Sequence, residues 1–196
     1  MINRDGTASA LLRDGVVDDG SGSGIVIRTL TLADIGEVRR VDLQLFPVRY
    51  SDEFYTSLGK NPSMTLVAVD DDNIVAVVSS RVIHSRLSCR NLMGYNHHVG
   101  YISTLGVLPP YRRRGIAKLL LERIISVLKR DCQCQSVYLH VKADNFPALK
   151  LYKEFGFDQV RFLQAHYYFD NRHHDAIQLE KQLGDATRHA TQCAIL

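Results

Sequence analysis

The sequence has little excess charge of either sign and no long apolar run. Charged residues make up 23% of the 196 residues, and the formal net charge is only +3. A protein that binds nucleic acid as its main partner usually carries a stronger basic excess, so we expect no nucleic-acid partner. No apolar stretch reaches the length that crosses a bilayer, and the first residues lack the hydrophobic core of a signal peptide. We therefore expect a cytoplasmic protein.

Cysteine is also scarce. The four cysteines stand at positions 89, 132, 134 and 193, with no Cys-x-x-Cys pair. This spacing indicates neither a disulfide framework nor a zinc site. The doublets His97-His98 and His173-His174 have no acidic or cysteine partner at ligand spacing, so we interpret them as solvated loop histidines. We predict no bound metal.

The length of the chain suits one domain with a substantial core. Residues 1–24 are rich in Gly, Ser and Asp and poor in large apolar residues, a composition that predicts a flexible N-terminal tail. We place the folded domain at residues 25–183 and a flexible C-terminal tail at residues 184–196.

Hydrophobic periodicity divides the domain into strands and helices. Strands are predicted at 25–30, 64–70, 73–85, 99–108, 136–142, 157–169 and 175–183, and helices at 31–46, 51–58, from 116 onward and at 145–156. Asp71 and Asp72 lie at a tight turn between two strands, and Ser51 is a candidate helix cap. Mixed strands and helices in this order indicate an α/β or α+β protein with one central sheet.

The stretch YRRRGIAKLLLERII, residues 111–125, places three arginines and a glycine at the start of a helical pattern. The first N–H groups of a helix lack internal partners, so this arrangement is typical of an anion site. The spacing is neither GxxxxGK[ST] nor GxGxxG, which argues against ATP and dinucleotides. It is Arg112-x-x-Gly115-x-Ala117. On these residues alone, a solvated arginine corner is an equally good interpretation.

This spacing resembles the [QR]xxGx[GA] signature of the GCN5-related N-acetyltransferase (GNAT) family, whose backbone N–H groups bind the pyrophosphate of acetyl-CoA. The segments FPVRYSDEFY, YISTLGVLPPYRRRGIAKLLL and YLHVKADNFPALKLYKEFGF are most similar to the NatE catalytic-subunit (separation anxiety) type of that family. The NatF type, which is bound to Golgi membranes, is second. The resemblance covers residues 25–183 and implies a GNAT fold, with a mixed, mostly antiparallel central sheet flanked by helices.

The resemblance also implies an activity, the transfer of acetyl from acetyl-CoA to the α-amino group of protein N-termini, preferably Met followed by an apolar residue. Auxiliary N-acetyltransferase subunits are partners of this type. Tyr101 and His140 match the general base, and strand alternation predicts Tyr101 on the face of Ser103 and Leu105. Without the resemblance, His140 is an ordinary strand histidine. A lysine or small-amine acetyltransferase and a non-catalytic acyl-CoA-binding module remain alternatives.

Further site residues follow from the same resemblance. Cofactor-side matches are Leu105, Val107, Arg112, Arg113, Arg114, Gly115, Ile116, Ala117, Lys118, Asn145 and Tyr152. Residues that match the acceptor loops are Phe46, Pro47, Val48, Tyr50, Tyr167 and Tyr168. Core packing is the alternative role of these aromatics and of Tyr152. Lys142 stands where the resemblance leads us to expect less charge, and the connection from 85 to 98 is longer than in the NatE type.

The last four residues, Cys193-Ala194-Ile195-Leu196, read as a C-a-a-X box, in which a terminal Leu favours geranylgeranyl attachment to the cysteine. Chance is the alternative explanation of this match. One lipid chain without a polybasic cluster anchors a protein only weakly. We expect peripheral contact with the cytosolic face of a membrane through a lipidated Cys193.

Overall fold

Strands rich in Val and Ile build one central sheet in the computed structural model, which describes residues 15–18, 24–85 and 97–184. The strands are β1 (Gly15–Asp18), β2 (Gly24–Thr29), β3 (Thr65–Asp70), β4 (Asn73–Ser85), β5 (His97–Val107), β6 (Ser136–Lys142), β7 (Asp158–Phe169) and β8 (Arg172–Gln182). The helices are α1 (Ile35–Leu45), α2 (Asp52–Lys60), α3 (Ile116–Arg130) and α4 (Phe146–Glu154). Short 3-10 turns occupy Leu32–Asp34, Pro62–Met64 and Pro109–Tyr111.

The sheet order is β1-β2-β3-β4-β5-β6-β8-β7. Only β5 and β6 run parallel, and all other neighbouring pairs in the described part of the sheet are antiparallel. The mixed, mostly antiparallel sheet flanked by helices that the sequence predicts is therefore confirmed. The turn between β3 and β4 has positive φ at both Asp71 and Asp72, which matches the twist of a two-residue hairpin.

Two apolar layers cover the two faces of the sheet. One core packs α3 and α4 against it and includes Ile116, Leu120 and Ile124, which lie on one stripe of α3. The other core packs α1 and α2 against the opposite face, with Val38 and Leu58 among its buried residues. The α3 side and the α1 side of the sheet are named after these helices below. No helix in the described part of the chain has the length and apolar character of a membrane span.

The structure differs from the sequence prediction at the N-terminal end of the domain. Residues Gly15–Asp18 pair with β2, so four residues of the predicted N-terminal tail form an edge strand. At the other end, the Leu183 N–H donates to the Gln135 carbonyl, and the Leu183 side chain is buried. Residues 1–14, 19–23, 86–96 and 185–196 lie outside the described residues, and with them lie the C-a-a-X box at Cys193 and most of the long connection after 85.

The interpretation of the histidine doublets as loop residues is wrong, because both doublets lie in strands. The imidazole of His174 is buried and stacks on the Phe169 ring at a centroid distance of 3.8 Å. The Nδ1 atom of His98 lies 3.1 Å from the Cys132 carbonyl oxygen. The short sequence patterns around these histidines did not show that they belong to β5 and β8, or that one residue of a strand pair faces inward.

A carboxyl group is buried inside the second core, close to the loop that follows α1. Asp42 is 1% exposed, and neither side-chain oxygen has a hydrogen-bond partner in the described part of the chain. Burial raises the pKa of Asp42 from 3.8 to about 7, and the nearby Tyr55 hydroxyl opposes this rise only weakly, since its contact with the carboxyl falls outside hydrogen-bond geometry. Above pH 3.8 folding therefore costs free energy, because Asp42 has to take up a proton on folding or be buried as a charged group.

We expect Asp42→Asn to stabilise the protein at pH 8 and to leave it unchanged at pH 3. The folded state keeps the Asp42 proton up to about pH 7, whereas the unfolded chain releases it near 3.8, so stability falls as pH rises between these values. The free energy of unfolding at pH 8 should rise by roughly 2–4 kcal/mol, measured by urea titration. Asp158→Asn, at an exposed carboxylate, is the control. An equal effect of Asp42→Asn at both pH values would contradict the burial argument.

Candidate active site

The two parallel strands of the sheet separate halfway along their length. β5 and β6 pair over Val99–Ile102 and Ser136–Leu139, and the described parts of the two strands form no further pair. At the same point the pairing of β5 with β4 skips Ser103, which becomes an extra residue in β5. A β-bulge of this kind bends its strand. The gap between β5 and β6 therefore follows from the register of the sheet.

The bulge also changes which side chains of β5 share a face. Ile102 and Leu105 both pack in the core around α3, so Tyr101 faces the α1 side of the sheet. The predicted common face of Tyr101 and Leu105 is wrong, because the extra Ser103 shifts the alternation by one residue. His140 also faces the α1 side, since its neighbours Leu139 and Val141 belong to the α3 core.

A cavity of about 840 Å³ lies in the gap and is lined from both faces of the sheet. The predicted site residues that line it are Phe46, Pro47, Val48, Tyr50, Leu105, Val107, Arg112, Arg113, Gly115, Ile116, Ala117, Lys118, His140, Asn145, Tyr152 and Tyr167. The residues matched to the cofactor lie around α3 and α4, and those matched to the acceptor lie around the end of α1 and β7. The two sets meet where β5 and β6 separate.

Three predicted residues do not line this cavity. Tyr168 points away from it because neighbouring strand residues face opposite sides, and its side chain is 62% exposed beside the ring of His173. The guanidinium of Arg114 lies over the Tyr111 ring instead, 5.3 Å from its centroid. Tyr101 does not line the cavity, but its hydroxyl contacts His140, which does. The assignment of Tyr168 to the acceptor site is therefore corrected.

The loop before α3 is shaped to hold an anion. Gly115 has φ +82° and Arg113 has φ +67°, a region that residues other than glycine seldom adopt. Residues with positive φ in a short loop turn successive backbone N–H groups toward one point. Gly115 caps α3, the first turn contains no acidic residue, and among the described residues no capping side chain bonds to the first N–H groups of the helix. A Cβ atom at Gly115 would meet nothing within 4 Å, so the space in front of the helix is open.

Arg112 connects the anion loop to the central sheet. Its Nε donates to the Val107 carbonyl oxygen at 3.0 Å and so ties the anion loop to the end of β5. The next residue, Leu108, donates its N–H to Val75 of β4. Because successive strand residues point their backbone groups to opposite sides, Val107 and Leu105 turn their N–H groups toward the gap. Both residues are among the cofactor-side matches of the sequence resemblance.

Tyr101 and His140 meet at the narrow part of the gap. The Tyr101 hydroxyl lies 3.4 Å from Nδ1 of His140. Burial lowers the pKa of His140, and the imidazole of His166, whose ring centroid is 4.7 Å away, lowers it further. Burial raises the pKa of Tyr101. At neutral pH the pair therefore consists of a neutral imidazole, which accepts a proton, and a neutral phenol.

The acceptor side of the cavity is aromatic. Tyr50 stacks on Phe54 at a centroid distance of 4.5 Å and meets the edge of Phe46 at 6.1 Å. Burial raises the pKa of Tyr50, and it raises the pKa of Tyr167 to about 12. Both phenols keep their protons at neutral pH. The aromatic residues in this part of the site are therefore uncharged at neutral pH.

Several residues near the site escaped the sequence reasoning. Lys150 lines the cavity from α4, and Lys142 lines it beside Phe169. His166 reaches His140 from a bulge in β7, where Ala165 has φ +52° and donates its N–H to Asp175. Of these residues, only Lys142 is noted in the sequence analysis, as a charge at a position where the resemblance leads us to expect less charge. The described residues contain no group of three or more His, Cys, Asp or Glu side chains that is arranged to hold a metal.

Comparison with known proteins gives consistent matches. The model of the acetyltransferase (GNAT) family matches residues 33–157. N-alpha-acetyltransferase 50 of Danio rerio is 32% identical over 159 residues, which cover 81% of this chain and 89% of that protein. The crystal structure of Arabidopsis thaliana NAA60 with a bisubstrate analogue has a TM-score of 0.74 at 29% identity, covering 82% of this chain and 99% of that one. Arabidopsis thaliana Naa50 with the bisubstrate analogue CoA-Ac-MVNAL has a TM-score of 0.69 at 28% identity, covering 81% and 98%.

We expect Gly115→Asp to weaken the binding of acetyl-CoA, the ligand that the sequence resemblance implies. The substitution places a carboxylate at the open N-terminus of α3 and strains a backbone with φ +82°. Calorimetry should show a loss of at least about 30-fold in affinity. Gly36→Asp, at another glycine with open space around it, is the control and should bind normally. Unchanged affinity in Gly115→Asp would show that the anion site lies elsewhere.

Proposed function

Because the chain belongs to the acetyltransferase (GNAT) family, we propose that it transfers the acetyl group of acetyl-CoA to the α-amino group of protein N-termini, most readily to Met followed by an apolar residue. The observation that carries the proposal is the cavity between β5 and β6. It joins an anion-binding loop on the α3 side to the Tyr101–His140 pair and an aromatic loop on the α1 side. A donor and an acceptor that enter from opposite faces would meet at this pair.

The residues on the α3 side fit acetyl-CoA. The free N–H groups at Ile116, Ala117 and Lys118 suit its pyrophosphate. Bound acetyl-CoA supplies an activated acetyl thioester. The N–H groups of Leu105 and Val107 face the gap, where an N–H donor would stabilise negative charge that develops on a carbonyl oxygen. Tyr152 is buried on the same side, and burial raises its pKa, so its hydroxyl keeps a proton to donate.

An α-amino group has to lose a proton before its nitrogen attacks a carbonyl carbon. The pKa of a free α-amino group is about 7.7–8.0, so part of it is still protonated at neutral pH. His140 accepts that proton, because its lowered pKa keeps the imidazole neutral. The Tyr101 hydroxyl lies 3.4 Å from Nδ1 and holds the ring in position. We assign the role of general base to this pair.

The pH profile of kcat/KM should reveal which group takes the proton. Because neutral His140 accepts the proton of the bound α-ammonium group, log(kcat/KM) of the natural enzyme should fall toward acid pH with a slope of 1 below the ordinary histidine value of 6.5. His140→Ala can use only amine that is already deprotonated, so its acid limb should move to near pH 8. We also expect His140→Ala and Tyr101→Phe to lower kcat by about 10²-fold. An acid limb below pH 6.5 or intact turnover in folded His140→Ala would refute the assignment.

The character of the acceptor pocket supports the preference for an apolar N-terminus. Phe46, Pro47, Val48 and Tyr167 line it, and apolar side chains bind such surfaces best. The Arabidopsis thaliana Naa50 structure contains CoA-Ac-MVNAL, in which the peptide part begins with Met and Val. We infer that the same kind of N-terminus is the best acceptor for this chain.

A peptide panel tests the acceptor class. Peptides beginning Met-Leu or Met-Val should have a higher kcat/KM than peptides beginning Met-Asp or Ser, and than Nα-blocked peptides with an internal lysine. Tyr167→Ala should reduce kcat/KM for Met-Leu about tenfold, whereas Tyr168→Ala, which points away, should change it less than about twofold. Faster acetylation of blocked lysine peptides would indicate a lysine acetyltransferase. Binding of acetyl-CoA without acetylation of any amine would indicate a binding module.

A further inference from the structure

One charged side chain lies on the otherwise uncharged acceptor side of the cavity. The residues that line this side, here called the acceptor wall, are Phe46, Pro47, Val48, Tyr50, His140, Lys142, Tyr167 and Phe169. Lys142 ends β6 and faces the α1 side together with His140, because one residue of the strand separates the two. At neutral pH both phenols and the imidazole of the wall are uncharged. Among the described residues of the wall, Lys142 therefore carries the only formal charge.

The Lys142 ammonium is held in place by an aromatic ring and by a carboxylate. It lies 5.7 Å from the ring centroid of Phe169, a distance at which a ring face attracts a cation. The buried imidazole of His174 stacks on the same ring at 3.8 Å and supports it. The carboxylate of Asp144 lies 2.9 Å from the ammonium, but its side chain is 64% exposed, whereas that of Lys142 is 29% exposed. Because an ammonium has three N–H donors, a second carboxylate that enters the cavity can share it.

The path of an acceptor peptide leads from His140 toward Lys142. Its α-amino group has to reach the His140 imidazole to lose a proton. Inward of His140 the gap is closed, because β5 and β6 pair as far as Ile102 and Leu139. The peptide therefore continues outward, in the direction in which β6 runs from His140 to Lys142. Each residue of an extended chain advances about 3.4 Å, so the third residue of the peptide and Lys142 both lie about 7 Å beyond the starting point.

We propose that Lys142 selects acceptors whose third residue is Asp or Glu, by pairing its ammonium with that carboxylate above the Phe169 ring. The proposal rests on the function proposed above, because it needs the α-amino group of a peptide at His140. The second and third residues of an extended peptide point to opposite sides, so an apolar second residue and an acidic third residue contact different parts of the wall. Asp144 competes for the ammonium and limits the gain.

Two peptides that differ by one charge isolate this contribution. The kcat/KM values of otherwise identical peptides beginning Met-Leu-Asp and Met-Leu-Asn are measured at low ionic strength. For the natural protein we expect the Asp peptide to be preferred about fivefold, mainly through KM, because the ion pair is the same before and during the reaction. Lys142→Gln should bring this ratio close to one. Lys142→Glu should reverse the preference, so that a Met-Leu-Lys peptide reacts faster than Met-Leu-Asp. General damage to the site affects both peptides and cancels in the ratio.

Two further variants sharpen the test. Lys153→Gln removes the same charge from an exposed position of α4 that does not line the cavity, and it should keep the natural ratio. Asp144→Asn should increase the ratio, since it leaves the ammonium to the acceptor. Acetylation of both peptides with a ratio near one in the natural protein, or an unchanged ratio in Lys142→Gln, would overturn the role of Lys142 alone. Acetylation of neither peptide by the natural protein would overturn the proposed function as well.

Discussion

The separation of β5 from β6 is the constraint on which the rest of the site depends. Backbone groups in a sheet normally pair with both neighbours, yet beyond Ile102 the β6-facing side of β5 has no strand partner. The bulge at Ser103 starts this separation, and the bond from Arg112 to Val107 helps to hold its far end. The unpaired N–H groups of Leu105 and Val107 would be costly in a closed core. In an open cleft they become donors that a ligand can use.

The cleft divides its chemistry by position. On the α3 side, a helix N-terminus and several cations provide a charged surface for a donor with phosphates. On the α1 side, aromatic residues provide an apolar surface for an acceptor. Between them, partial burial keeps His140 neutral and able to take a proton. The charged surface and the apolar surface lie on opposite faces of the sheet, so one layer of backbone separates them.

Some of the strained backbone and unpaired polar groups of the described residues lie near this cleft. Arg113 and Ala165 have positive φ although neither is glycine, and one lies in the anion loop while the other aims His166 at His140. Among the described residues, the carboxyl oxygens of Asp42, buried near the acceptor loop, have no hydrogen-bond partner. Such features lower stability, and the two well-packed cores on either side of the sheet offset that cost.

The sequence by itself determined the elements and the anion loop, because periodicity, the Asp71-Asp72 turn, the Ser51 cap and the Arg112-to-Ala117 spacing are local signals. It also brought Tyr101 and His140 together by resemblance to a family. Tertiary structure alone decided which face Tyr101 occupies, since an extra residue at Ser103 is visible only against the register of β4. It also removed Tyr168 from the site and added Lys150 and His166. These positions depend on how separate strands and helices pack. Local sequence patterns do not specify contacts between residues that are far apart in the chain.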